Sequence, residues 1–124
     1  MSQARVLIAD DAVFMRSMIR DILVRSGRFE VVAEASNGLE AVALYSQVRP
    51  DLVTMDIVMP EMDGIEAARE ILRSHPDATI VMCSALGQEA LVIESIAAGA
   101  RDFIVKPFSA EKVLQVLDLA LSAA

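Results

Sequence analysis

The sequence predicts an α/β fold in which a five-stranded parallel sheet is covered by helices on both faces. Five short runs rich in Val and Ile mostly lack the polar alternation of half-exposed strands, which is typical of strands covered on both faces. Segments with a helical period of apolar residues separate these runs. Repeated alternation of strand and helix is typical of a doubly wound parallel sheet with right-handed crossovers.

The predicted strands are the five apolar runs. They cover Arg5–Ala9, Phe29–Glu34, Asp51–Met55, Thr79–Cys83 and Asp102–Val105. None of the apolar segments approaches the roughly 18 to 20 residues that a membrane span requires. The segment before the first strand has no hydrophobic region typical of an export signal, so a cytoplasmic protein without a membrane contact is expected.

Five helices are predicted between and after these strands. The first has apolar residues at helical spacing from Met15 to Leu23 and a stop at Gly27. Asn37 and Asp63, each followed three residues later by glutamate, are predicted to cap the second and third helices. Ser109 is predicted to cap the fifth, which carries one apolar stripe.

The fourth helix, predicted over Gln88–Ala98, is more apolar than the others. Its apolar residues are Ala90, Leu91, Val92, Ile93, Ile96 and Ala97. They cover more of the helix circumference than one stripe facing the sheet requires. Part of this surface is therefore expected to face outward and to bind a partner.

Composition limits the possible functions. The 124 residues are 55% hydrophobic and 23% charged, which predicts one domain over residues 1–124 with one continuous core. The net charge of −7 argues against nucleic-acid binding, which depends on clustered Lys and Arg. The one cysteine, Cys83, lies in an apolar run and is predicted to be a buried thiol.

Polar residues stand at the ends of four of the five predicted strands. They are Asp10 and Asp11 after the first, Asp56 after the third, Ser84 after the fourth and Lys106 after the fifth. In an open parallel sheet these strand ends form the functional edge. Three carboxylates there repel each other by roughly 4 kcal/mol per pair at about 4 Å and an effective dielectric near 20, so a cation is expected among them.

The residue types at this edge indicate the chemistry. Oxygen ligands without a nearby His or Cys favour Mg²⁺ over zinc, and Mg²⁺ sites typically include a phosphate. Lys106 adds a positive charge that can reach a phosphoryl oxygen. The sequence therefore predicts a site for phosphoryl transfer.

The ordered set of motifs resembles the CheY-like receiver family of two-component signalling. It consists of Asp10-Asp11, Asp56 with the following Met59-Pro60-Glu61-Met62-Asp63-Gly64, Ser84-Ala85, and Lys106-Pro107. The resemblance covers essentially the whole chain, and the stretches Asp10–Arg16 and Asp102–Phe108 are similar to those of stand-alone chemotaxis members. It implies a flavodoxin-like sheet with strand order 2-1-3-4-5.

The resemblance also implies roles for individual residues. Asp56 is expected to take a phosphoryl group from a histidine kinase. Mg²⁺ is expected to bind Asp11, Asp56 and the backbone carbonyl of Val58 directly, with Asp10 acting largely through water. Lys106 is expected to pair with the phosphoryl oxygens.

The same family pattern predicts how the signal leaves the site. The Lys106–Pro107 bond is expected to be cis. Ser84 is expected to follow the phosphate, and Phe103 to be the switch aromatic. This family more often has tyrosine at the switch position. Phe103 lacks the tyrosine hydroxyl, so a steric rotamer switch is expected instead of one that depends on a hydrogen bond.

The expected function is a phosphorylated binding switch that catalyses its own phosphorylation and dephosphorylation. A monomer is expected, with a chemotaxis-type histidine kinase as phosphodonor. A flagellar motor switch protein and a phosphorelay protein both remain open as the output partner. A phosphohydrolase fits less well because such sites usually use Asp-x-Asp, and a flavodoxin-type carrier fits less well because the Asp10-Asp11 pair would repel its phosphate.

Overall fold

The computed structural model describes residues 3–122, in which five parallel strands alternate with five helices. The elements are β1 Ala4–Ala9, α1 Val13–Ser26, β2 Phe29–Ala35, α2 Gly38–Val48, β3 Leu52–Asp56, α3 Gly64–Ser74, β4 Ile80–Ser84, α4 Glu89–Ala97, β5 Asp102–Val105 and α5 Ala110–Ser122. The strand order β2-β1-β3-β4-β5 confirms the predicted fold. None of the helices within residues 3–122 has both the length and the apolar content needed to cross a bilayer.

Helices cover both faces of the sheet, as the strand patterns predict. On one face α1 and α5 bury Leu23 and Leu117 against β1 and β4. On the other face α2 and α3 bury Tyr45 and Ile71, and α4 adds partly buried residues at the margin. The three central strands β1, β3 and β4 are thus enclosed on both sides, which is why they lack polar alternation, whereas the edge strands β2 and β5 keep partly exposed residues.

The predicted capping residues form the expected hydrogen bonds. Asn37 Oδ1 accepts from the amide of Glu40 at 2.8 Å, and Asp63 Oδ1 accepts from the amide of Glu66 at 2.9 Å. Ser109 Oγ accepts from the amide of Lys112 at 3.1 Å. These bonds satisfy amides that have no partner inside the first turn, so they define where α2, α3 and α5 begin.

Three strands, β2, β3 and β4, end one residue later than the sequence predicts. β3 ends on Asp56 and β4 ends on Ser84, because the parallel ladder continues through the pairs Asp56–Cys83 and Ser84–Val105. The apolar pattern could not show the ends of β3 and β4, since both terminal residues are polar. The consequence is that Asp56 and Ser84 are held by the sheet backbone rather than by loops.

The fourth helix is weakly embedded, which confirms the expected outward apolar surface. Its only fully buried residue is Ser95, whose hydroxyl donates to the carbonyl of Val92 at 2.8 Å. Ile93 is 71% exposed and Ile96 is 42% exposed. The apolar side chains of α4 therefore contribute to a surface as well as to the core.

Candidate functional site

Three carboxylates converge at the carboxyl edge of the sheet. Oxygen atoms of Asp10, Asp11 and Asp56 lie within 4.8 Å of one another. Asp10 is buried, Asp11 is exposed, and Asp56 is 9% exposed, so the cluster opens to solvent on one side. This set of oxygen donors contains no His or Cys and fits a hard cation such as Mg²⁺.

Lys106 partly neutralises the cluster. Its Nζ donates to Asp10 Oδ2 at 3.2 Å and to Asp56 Oδ1 at 3.2 Å. Burial opposes the charged ammonium, but the carboxylates of Asp56 and Asp10 outweigh that effect and raise the pKa of Lys106. One ammonium faces three carboxylates, so the site keeps a negative charge that a metal cation can balance.

The same environment acts on the groups beside Lys106. Burial, followed by the charge of Asp10, raises the pKa of Asp56 to about 6, against the lowering effect of Lys106. Burial raises the pKa of Cys83 to about 12, so this thiol stays protonated and is the buried thiol that the sequence predicts. Asp56 is thus a carboxylate that the apo protein holds at a cost in stability.

Neutralising Asp56 should therefore stabilise the metal-free protein. We expect Asp56→Asn to raise the free energy of unfolding at pH 7 by about 3 kcal/mol, because a raised carboxyl pKa means that the folded state disfavours the charge. This gain in stability should vanish below pH 3.8, the ordinary pKa of the group, because the Asp56 carboxyl of the parent is then protonated in both the folded and the unfolded state. Urea unfolding at several pH values measures this difference.

The matched control is Asp77→Asn, which removes one negative charge from an exposed aspartate outside the carboxylate cluster. It should change the free energy of unfolding by less than about 0.5 kcal/mol. An Asp56→Asn variant that is less stable than the parent at pH 7 without metal would contradict the role of burial at this carboxyl.

The loop between β1 and α1 is fixed around Asp10. The Asp10 amide donates to the carbonyl of Ala35 at 3.0 Å, and Asp10 Oδ1 accepts from the amide of Ala12 at 2.9 Å. The Asp10 carbonyl accepts from Arg16 Nη1 on α1. With Lys106 on Oδ2, each polar group of Asp10 has a partner, which suits a carboxylate that is 1% exposed.

The loop between β3 and α3, which carries Val58, is held by two close backbone approaches. The Gly64 amide donates to the carbonyl of Ile57 at 2.7 Å, and a Cβ at Gly64 would lie 1.9 Å from the carbonyl oxygen of Asp56. The Gly38 amide at the start of α2 donates to the carbonyl of Met62 at 2.9 Å, and a Cβ there would lie 2.2 Å from that oxygen. Only glycine permits these distances.

The remaining predicted site residues lie on β4, on β5 and in the segments that follow β3 and β5. Ser84 is 1% exposed, and its carbonyl accepts from the Lys106 amide at 2.7 Å. The Lys106–Pro107 bond is cis. Val58 has an exposed side chain without a ligand atom, so only its backbone carbonyl could bind a cation. Phe103 is 39% exposed on β5 and lines a cavity of about 480 Å³ with Ser84 and residues of α4.

Sequence patterns did not point to two residues that support the site, Arg16 and Gly38. Arg16 contacts the Asp10 carbonyl through a side chain, and Gly38 supports a loop that is distant in the chain. The spacing of Arg16 on α1 looks like that of a surface residue, and Gly38 looks like a residue of a helix start. Only the contact across elements distinguishes them from ordinary residues of those types.

The comparisons with known proteins agree with this fold. Residues 6–118 match the response regulator receiver domain family, which covers most of the chain. The chain therefore belongs to the response regulator receiver domain family, the phosphoacceptor domain of two-component signalling.

Individual relatives are similar over nearly the whole chain. The chemotaxis protein CheY of Bacillus subtilis is 60% identical over 118 residues, which are 95% of this chain and 98% of the relative. The receiver domain of Thermotoga maritima CheB is 38% identical, with a TM-score of 0.90 over 98% of each chain. A CheX–CheY–BeF3–Mg²⁺ complex from Borrelia burgdorferi contains a chain that is 41% identical, with a TM-score of 0.87 over 94% of this chain and 88% of that one.

Proposed function

We propose that this protein is a Mg²⁺-dependent phosphoacceptor switch in chemotaxis signalling and that Asp56 receives the phosphoryl group from a histidine kinase. The observation that supports it best is the Asp10, Asp11 and Asp56 cluster joined to Lys106 at the edge of a receiver fold. The similarity to chemotaxis CheY proteins over nearly the full length supports the pathway. Residues 1–124 would then form one receiver domain.

The proposed reaction transfers one phosphoryl group to Asp56. A carboxylate oxygen of Asp56 attacks phosphorus, a P–O bond forms, and the P–N bond to the donor imidazole breaks. The product is an acyl phosphate, as in other reactions with an aspartate nucleophile. Later hydrolysis of this acyl phosphate by water would return the carboxylate and complete the dephosphorylation that the protein catalyses on itself.

The residues around Asp56 would favour this transfer by position and charge. Mg²⁺ held by Asp11, Asp56 and the Val58 carbonyl, with Asp10 acting through water, would supply positive charge to the phosphoryl oxygens. Lys106 already contacts Asp56 and is placed to exchange that carboxylate for a phosphoryl oxygen. Ser84, beside Lys106 in the backbone ladder, would donate its hydroxyl to another oxygen.

The switch would act on the surface formed by α4 and β5. Ser84 and Phe103 both line the cavity next to α4, so a shift of Ser84 toward Asp56 changes the space that the Phe103 ring can fill. Since α4 buries only Ser95 completely, moving it costs few core contacts. The partly exposed Ile93, Ile96 and Phe103 would form the apolar surface that a partner reads.

Removing the Ser84 hydroxyl should weaken the coupling without preventing phosphorylation. A full shift from 1:99 to 99:1 needs about 5.5 kcal/mol, whereas one neutral hydrogen bond contributes about 1 kcal/mol. Ser84→Ala should therefore lower the factor by which phosphate changes the switching equilibrium constant by roughly fivefold. The measurement follows amide chemical shifts of residues 88–108 with and without Mg²⁺ and beryllofluoride.

The control for this experiment is Ser74→Ala, which removes an exposed hydroxyl at the end of α3. It should show the parent response. Full coupling in Ser84→Ala, or a parent protein whose shifts over residues 88–108 do not change, would contradict this mechanism. Intact-mass measurement after acetyl phosphate should still show phosphate on Ser84→Ala.

The pathway is tested by direct transfer. A purified chemotaxis histidine kinase carrying labelled phosphate should transfer its label to the parent protein within seconds, and a kinase from an unrelated pathway should not. The output partner, a flagellar motor switch protein or a phosphorelay protein, is tested by its affinity for the beryllofluoride-treated protein. A monomer in the cytoplasm stays a prediction, with sedimentation as the test of oligomeric state.

A further inference from the structure

Arg16 connects the carboxylate cluster to the end of β2. Its side chain, 14% exposed, donates through Nη1 to the carbonyl of Asp10 and through Nε to Glu34 Oε1 at 3.2 Å. The other oxygen of Glu34 forms a salt bridge with Arg20 Nη2 at 2.8 Å. Glu34 is therefore held from two sides, and it fixes the orientation of the Arg16 guanidinium.

The carbonyl that Arg16 contacts belongs to the peptide between Asp10 and Asp11. A peptide unit is planar and includes the Cα of the next residue, so holding this carbonyl also holds the Cα of Asp11. Within residues 3–122, the carboxylate of Asp11 forms no hydrogen bond or ion pair of its own. The direction of the exposed Asp11 side chain thus depends on the backbone from which it projects.

We infer that Arg16 is a positioning residue for the metal site: held by Glu34, it fixes the Asp10–Asp11 peptide so that the Asp11 carboxylate faces Asp56. This role rests on the proposed function, since Asp11 is a metal ligand there. Arginine suits it because two different N–H groups of one planar fork bind two acceptors at once. Lysine would keep the charge but could not hold both acceptors in a fixed geometry.

A purely electrostatic role for Arg16 gives the opposite expectation. A positive charge near the cluster repels Mg²⁺, so its removal alone would strengthen Mg²⁺ binding. Loss of positioning would weaken binding, because groups that orient metal ligands typically contribute about 10- to 100-fold to metal affinity. The sign of the change therefore separates the two roles.

The experiment compares Mg²⁺ titrations of the parent with Arg16→Met, Arg16→Lys and Glu34→Gln. We expect Mg²⁺ binding to weaken by about tenfold in Arg16→Met and by less in the other two variants. Without metal, amide hydrogen exchange at Ala12 should be faster in Arg16→Met, because Ala12 donates to Asp10 in the same loop. This second readout does not depend on phosphorylation.

The matched control is Arg28→Met, which removes an arginine–carboxylate pair, Arg28 with Asp118 at 2.9 Å, at the opposite end of the sheet. It should leave Mg²⁺ affinity unchanged. If the parent binds Mg²⁺ and both Arg16 variants bind it as tightly or more tightly, the positioning role is overturned and the metal site stands. If the parent binds no Mg²⁺, the metal site and this role fall together. Arg16→Lys keeps the test valid if Arg16→Met does not fold.

Discussion

Replacement of Asp56 by asparagine is expected to abolish phosphate uptake. The amide keeps the size of the carboxylate but carries no negative charge, so its oxygen is too weak a nucleophile to form a stable acyl phosphate. Asp56 also ends the central strand β3 and is one of the two carboxylates that Lys106 contacts. Intact-mass measurement after acetyl phosphate and Mg²⁺ should show one added phosphate on the parent and none on Asp56→Asn.

The comparison with the metal-free stability experiment makes this result specific. Asp56→Asn is expected to fold at least as stably as the parent without metal, so its failure to take phosphate cannot come from unfolding. Asp77→Asn should take phosphate as the parent does. Phosphate on Asp56→Asn in the parent amount would assign the nucleophile to a different carboxylate of the cluster.

Removal of the Asp11 carboxylate should have the next largest effect. Asp11→Ala leaves Asp10 and Asp56 with Lys106 between them, and it removes the one exposed carboxylate of this three-residue cluster. Since even groups that only orient metal ligands contribute about 10- to 100-fold, loss of a direct ligand should weaken Mg²⁺ binding by at least about 100-fold. Isothermal titration with Mg²⁺ measures this loss.

Asp11→Asn tests whether Mg²⁺ binding depends on the negative charge of Asp11 or only on an oxygen atom at that position. It keeps one oxygen ligand and should fall between the parent and Asp11→Ala, because Mg²⁺ prefers carboxylates but also binds neutral oxygens. Asp77→Asn again serves as the control for a lost surface charge. Equal Mg²⁺ affinity in Asp11→Ala and the parent would place the cation elsewhere.

Metal binding should also reverse the stability order of the parent and Asp56→Asn. Without Mg²⁺ the raised pKa of Asp56 makes its charge unfavourable in the folded state. A cation that binds only the folded parent stabilises it by an amount that grows with its concentration, and the asparagine variant should gain less. The carboxylates that weaken the apo fold are thus the groups that a bound cation requires.

Much of the fold could be predicted from the sequence because its signals are local. Apolar runs without alternation identify strands buried on both faces, and side-chain caps at Asn37, Asp63 and Ser109 mark helix starts through bonds to amides a few residues away. The convergence of Asp10, Asp11 and Asp56 was also predictable. It follows from parallel strands ending at one edge.

The tertiary structure alone decided the contacts between elements that are distant in the chain. A helical or strand period shows which face a residue occupies but not which partner it meets, so the bond from Arg16 to Glu34 and the approach of Gly38 to Met62 left no local pattern. The two ion pairs of Lys106, with Asp10 and with Asp56, likewise join residues that are distant in the chain. These contacts depend on how the loops and helices pack at the sheet edge, which is a property of the assembled fold.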